Sequence, residues 1–156
     1  MKLKLISYLV GCAITLSGAY CYLSQPLKVD TVISCQSRHT LINDNLKLDA
    51  DYGFIIGGNK GELSVHGYSI ENGNRINIRR AISFSYTKMD DIYTLYSKRI
   101  ESFNGDNSEN GNINANFPEF FYQPGKDITI KINRDKFDVP IIFVHNMPVF
   151  YCNKSV

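Results

Sequence analysis

The chain has 156 residues, 44% of them apolar and 21% charged, which suits one folded domain of ordinary globular composition. Seventeen basic residues stand against fifteen acidic ones, and setting aside Lys2 and Lys4 leaves fifteen of each. A formally neutral remainder has no counterion-release drive towards a phosphate backbone, so nucleic acid is excluded as an expected partner.

The first predicted element follows Met1-Lys2-Leu3-Lys4. Residues 5–23, "LISYLVGCAITLSGAYCYL", run for 19 residues without a charge. At about 1.5 Å per helical residue this nearly spans a hydrocarbon core of roughly 30 Å. Lys2 and Lys4 bias the short N-terminus to the cytoplasmic side, and Tyr20 and Tyr22 stand at the exit end, where interfacial aromatics gather. The expectation is one N-terminal transmembrane helix: 1–4 cytoplasmic, 5–23 anchor, 24–156 exported. Two other fates stay open. Ser17-Gly18-Ala19 has the small residues of a signal-peptidase site, and Leu9-Val10-Gly11-Cys12 has the form of a lipobox, although it comes early and is followed by more apolar residues. Each fate exports the remainder.

Pro26 ends the helical run, since it lacks an N–H and disfavours helix in the residue before it. From there the hydrophobic period is two. Leu46 and Leu48 alternate with Lys47 and Asp49, and Leu63 and Val65 with Ser64 and His66. The clearest run is "RINIRRAISFSYTK", Arg75 to Lys88, where Ile76, Ile78, Ile82, Phe84 and Tyr86 share one face. "ITIKIN" repeats the rule through Ile128, Ile130 and Ile132. Glu71-Asn72-Gly73-Asn74 and Gly57-Gly58-Asn59-Lys60-Gly61 carry hairpin signals, and Asp90-Asp91 breaks the run before Ile92. Asn104 to Phe121 is long and rich in Asn and Gly, and predicts a mobile loop whose aromatic end is pinned to the core. Seven or eight strands at this spacing predict an all-β fold: an antiparallel meander forming a barrel or half-barrel of lipocalin-like type.

Residues for chemistry are sparse. His39, His66 and His145 each stand alone, and no metal-binding, nucleophile-elbow or phosphate-loop pattern occurs. His66 and the pair Asp49 and Asp51 read as solvent-facing strand positions. The expectation is a protein with no enzymatic activity, metal or cofactor. Arg79-Arg80 is the one polar feature that violates the alternation, because one of the two must point into the apolar face. A bulge or a solvated barrel mouth would relieve Arg80. Otherwise it meets an anionic ligand or a partner carboxylate, which makes Arg79 and Arg80 the candidate ligand- or partner-binding residues.

Cys35 and Cys152 are the only cysteines outside the apolar segment, and an oxidising compartment would join them across 117 residues. Such a disulfide would tie the first strand to the last. The alternative is two free thiols.

Cys35, the closing Pro148-Val149-Phe150-Tyr151-Cys152, "GELSVHG" (Gly61 to Gly67), "IRRAISFSY" (Ile78 to Tyr86) and Asp106-Asn107 followed by Phe117-Pro118 together resemble the FidL-like family of enterobacterial inner-membrane proteins. That layout is similar to the small companions of ToxR-type regulators, which carry a cytoplasmic winged-helix domain, one membrane helix and a periplasmic domain. The resemblance implies a single-pass inner-membrane accessory protein whose periplasmic domain binds such a regulator. It would stabilise or modulate its partner, with envelope or bile-salt sensing as the setting. In related pairs the two form a joint barrel that holds bile-salt-like molecules. The family implies no catalytic residues. The alternative expectation is a stand-alone periplasmic lipocalin-type binder of an amphipathic acid.

Overall fold

The structure is a computed structural model that describes residues 32–43, 46–110 and 117–153, together with Thr15 and Ser17, both helical. The chain divides into two compact units, Met1–Asp30 and Thr31–Val156. Apart from Thr15 and Ser17, the predicted anchor at 5–23 and its processing alternatives lie outside the described residues. Among the described residues no helix is long and apolar enough to cross a membrane.

The second unit is a single antiparallel sheet of eight strands in strict sequence order, curled into a nearly closed barrel. The strands are β1 (Ile33–Asn43), β2 (Leu46–Gly57), β3 (Lys60–Glu71), β4 (Asn74–Met89), β5 (Ile92–Ser102), β6 (Asp127–Arg134), β7 (Pro140–Val144) and β8 (Met147–Tyr151). Chain direction defines two rims. The lower rim holds the start of β1 and the β2–β3, β4–β5 and β6–β7 turns, and the upper rim holds the β3–β4 and β7–β8 turns.

Alternation produces the core. In β2, Leu46, Leu48, Ala50, Tyr52, Phe54 and Ile56 are buried while the residues between them face outward. In β4, Ile76, Ile78, Ile82 and Phe84 are buried, with Tyr86 packed at their edge, as the sequence period predicts. The tight connections have the backbone that such hairpins need. Gly58 and Asn59 have φ of 59° and 62°, Asn72 and Gly73 of 49° and 81°, and His145 and Asn146 of 49° and 64°. Two consecutive positive φ values match the strand twist, and Asn and Gly tolerate them best.

Two register shifts keep apolar residues inside. Between β4 and β5, Ser83 faces Arg99 but Phe84 faces Ser97, which leaves Lys98 as an extra residue. Buried Tyr93, Leu95 and Ser97 are thus followed inward by Ile100 rather than by Arg99. Between β7 and β8, Ile142 faces Phe150 and Phe143 faces Pro148. This extra residue, Val149, brings Phe150 and Cys152 onto the inner face.

Close strand approach fixes two glycines. A Cβ on Gly61 would lie 2.3 Å from the Phe84 ring, and one on Gly67 would lie 2.2 Å from the Asp49 carbonyl oxygen and 2.5 Å from Ala50 Cα. The Gly67 obstruction is backbone, so no side-chain rotation relieves it. Gly67→Ala is therefore expected to cost about 1–3 kcal/mol or more through overpacking, measured as a lower denaturant midpoint. An unchanged midpoint would mean that β2 and β3 can part at this point.

The long connection after β5 is ordered where it is described. Phe103 N–H donates to the Arg79 carbonyl (2.8 Å), and Asn107 N–H donates to that of Asn77 (3.2 Å). The side chains of Asp106 and Asn107 accept the Arg79 and Asn77 N–H groups at 2.7 and 2.6 Å. Residues 103–107, with a turn closed by Asp106 N–H on the Phe103 carbonyl, thus cover the edge of β4 beyond the reach of β5. The expected mobile loop is corrected here: its first half is held at both backbone and side chains. Its aromatic end is pinned as predicted, with Phe120 and Phe121 buried in a 3-10 turn at Glu119–Phe121. Residues 111–116 lie outside the described residues.

Candidate functional site

The seam between first and last strands is where the barrel is least complete. Cys35 on β1 and Cys152 just after β8 are buried and joined by a disulfide, with Cα atoms 4.8 Å apart. Asn153 N–H donates to the Gln36 carbonyl at 2.7 Å, an isolated bridge, and Cys152 N–H donates to the Pro140 carbonyl at 3.1 Å. Above that bridge no β1–β8 ladder exists among the described residues. The Gln36 backbone faces β8, so by alternation Arg38, Thr40 and Ile42 also turn their N–H and C=O groups towards the open seam.

An apolar cavity of about 190 Å³ lies beside this opening. His39 and Leu41 of β1, Val149 and Phe150 of β8, and Phe117 and Phe121 of the long connection are among its walls. Phe150 is the hub, with ring centroids 4.7 Å from Tyr52, 5.2 Å from Phe54 and 6.0 Å from His39. Burial pushes the Tyr52 hydroxyl pKa well above its ordinary value. The cavity therefore presents aromatic faces, one imidazole and one neutral phenol, a lining suited to an apolar body with little polar surface.

Arg79 and Arg80 are adjacent in sequence but fall on opposite faces of β4, so the structure does not bring them into one site. Arg79 is exposed on the outer face, with Nη1 3.4 Å from the Asn104 carbonyl. Arg80 is 7% exposed. Its Nη1 donates to the Phe121 carbonyl at 3.1 Å, Nη2 donates to the Ser108 hydroxyl, and Nε lies 3.6 Å from Asp106 Oδ2. The bulge follows at Ser83 and Phe84, so neither a bulge at Arg80 nor solvent at the mouth relieves its charge. A carboxylate of the same chain does so instead. Burial alone would raise the Asp106 pKa. The Ser108 hydroxyl, the Arg79 and Ser108 N–H groups and the Arg80 charge outweigh it and hold the carboxyl below the usual carboxylate range.

The outer face of β1 to β4 carries a polar row in register: Arg38 opposite Asp51, Asp51 opposite His66, His66 opposite Arg79. Arg38 pairs with Asp49 through Nε at 3.0 Å and Nη2 at 3.2 Å, and this bond holds the Asp49 carboxyl below its ordinary pKa. His66 and Asp51 are exposed, as their strand phase predicts. Among the described residues no group of three or more His, Cys, Asp or Glu is placed to hold a metal ion.

A protein-family model, the YqeJ C-terminal domain, matches residues 32–152. The chain belongs to the YqeJ C-terminal domain family. The match begins one residue before β1 and ends on Cys152, so the YqeJ C-terminal domain takes in all eight strands and both halves of the disulfide. No curated protein and no solved structure matches the chain.

Sequence reasoning missed the cavity and the Arg80 partners. Asp106 and Ser108, two residues apart in a polar stretch, were the available signal for the second: an inward arginine requires a carboxylate, and a carboxylate followed at i+2 by Ser forms a local turn.

Proposed function

We propose that this YqeJ C-terminal domain is the exported part of a membrane-anchored accessory protein without enzymatic activity. It binds a partner protein along the open upper seam between β1 and β8. The observation that carries this reading is the strand edge of Arg38, Thr40 and Ile42. Among the described residues its backbone groups have no ladder partner above the Gln36–Asn153 bridge, and an apolar cavity lies behind it. Unpaired edges of this kind take up an added strand, which supplies hydrogen bonds while its inward side chain fills the pocket. The partner class is a single-pass regulator of ToxR type with a cytoplasmic winged-helix domain, supported by the resemblance to FidL-like proteins. On that reading the location is the bacterial inner membrane, with the barrel in the periplasm.

Thr40→Pro tests the seam directly. It removes an N–H that faces the opening and leaves the β1–β2 ladder intact, which edge strands tolerate. The full-length variant in membranes should keep a near-wild-type melting temperature and lose the photocrosslinks that a reactive group at Ile42 makes to the regulator. If neither protein yields a regulator crosslink, and deletion leaves regulator level and target expression unchanged, the partner reading fails.

The second reading is a stand-alone binder of a bile-salt-like or other amphipathic acid. It is favoured by the apolar cavity but ranked lower by its volume, since about 190 Å³ lies below the roughly 300–1,000 Å³ of ordinary ligand pockets. Deoxycholate that raises the melting temperature of the protein alone would promote it, and a rise only with partner present would support the shared-barrel reading.

A further inference from the structure

Large apolar side chains stand exposed at the lower rim. Val32, Met89 and Phe137 are 67%, 72% and 66% exposed, and Ile92 and Tyr151 also stand open there. Phe137 is held outward by a rigid turn. The Asp135 carboxylate accepts the N–H groups of Phe137 and Val139 at 2.8 and 2.9 Å and the Tyr151 hydroxyl. Asp138 N–H donates to the Asp135 carbonyl and Asp135 N–H to that of Val139, both at 3.0 Å. These bonds tie the turn, yet it places a phenyl ring in the open beside Lys136, whose Nζ lies 4.9 Å from the ring centroid. Lys60, Lys88 and Lys136, all at this rim, have no carboxylate partner among the described residues.

An apolar tip beside long cationic side chains is the chemistry of the bilayer interface. There the ring enters the boundary between headgroups and acyl chains while the ammonium group stays among the phosphates. Along the sequence, residues 24–31 lead from the apolar segment 5–23 to Val32, where the chain enters the barrel at this rim.

We infer that the lower rim rests on the lipid surface, with Phe137 and Met89 inserted at the interface and Lys88 and Lys136 among the lipid phosphates. This rests on the reading of 5–23 as a retained anchor. It assigns an orientation: the lower rim faces lipid, and the upper seam points away from the membrane, towards the partner.

The chain has no tryptophan, so single substitutions act as reporters. Full-length Phe137→Trp and Met89→Trp, reconstituted in vesicles with lipids brominated near the headgroup end of the acyl chain, should lose fluorescence and shift to the blue. Ile42→Trp, on the upper rim and 73% exposed, should be unaffected by brominated lipid and open to acrylamide. All three sites are exposed, so the barrel tolerates the change, and retention of the disulfide checks it. If the protein floats with the vesicles but the lower-rim reporters match the Ile42→Trp reporter, the docking inference is overturned and the anchor stands. If it does not float with them after extraction at high pH, the anchor reading fails and the inference falls with it.

Discussion

Cys35→Ser is expected to lower the stability of the barrel by about 4–5 kcal/mol, and Cys152→Ser by the same amount, with the double variant losing little more. The magnitude follows from a sequence separation of 117 residues, which the bond closes in the unfolded chain as well as the folded one. The disulfide also replaces pairing, since β1 and β8 share one isolated bridge where every other neighbouring pair shares a ladder. Chemical denaturation of the three variants under oxidising conditions measures it. Clearly additive losses would mean that the cysteines do not act as a pair.

The second large effect lies at Arg80 and Asp106, and it is unequal between the two. Asp106 is 2% exposed at its side chain and accepts the Arg79 N–H at 2.7 Å, the Ser108 N–H at 2.9 Å and the Ser108 hydroxyl. Losing Arg80 leaves it well hydrogen-bonded. Losing the carboxylate, by contrast, leaves a buried guanidinium without its counter-charge. Asp106→Asn is thus expected to cost about 3–5 kcal/mol, Arg80→Met less, and the double variant less than the sum. Because folding lowers the Asp106 pKa, its contribution is fully present above the unfolded value of about 3.9 and is lost as pH falls through the folded value. The stability gap between wild type and Asp106→Asn should therefore close as pH drops below about 4. A gap that persists there would assign the loss to packing rather than to charge.

Much of the architecture could be read from residue order, because β-sheet periodicity and turn chemistry are local. Leu46, Leu48, Ile76, Ile78 and Ile128 revealed their facing by alternation, and Asn72-Gly73 marked its hairpin by the φ it tolerates. The cysteine pairing could be read because Cys35 and Cys152 are the two cysteines outside the apolar segment 5–23. What lay hidden depends on distant chain meeting in space. Nothing near Arg80 announces Asp106, which approaches only because residues 103–107 run alongside β4. Nor does local sequence announce the cavity, whose walls come from five strands and the long connection. The extra residues Lys98 and Val149 also escaped notice, since a bulge is legible only once its partner strand is known.

The meander has a kinetic consequence. Each strand pairs with its immediate successor, so six of the seven ladders can form by short loop closures, β5–β6 closes across the long connection of residues 103–126, and only the β1–β8 contact needs ends 117 residues apart to meet. Folding should therefore proceed as a zipper of hairpins, with the ends brought together last. The thiols of Cys35 and Cys152 would stay accessible to an oxidant until the sheet has curled. Oxidation would then act as a late latch on a preformed barrel, and a pulse of thiol alkylation during refolding should trap a species with most of its strands already paired.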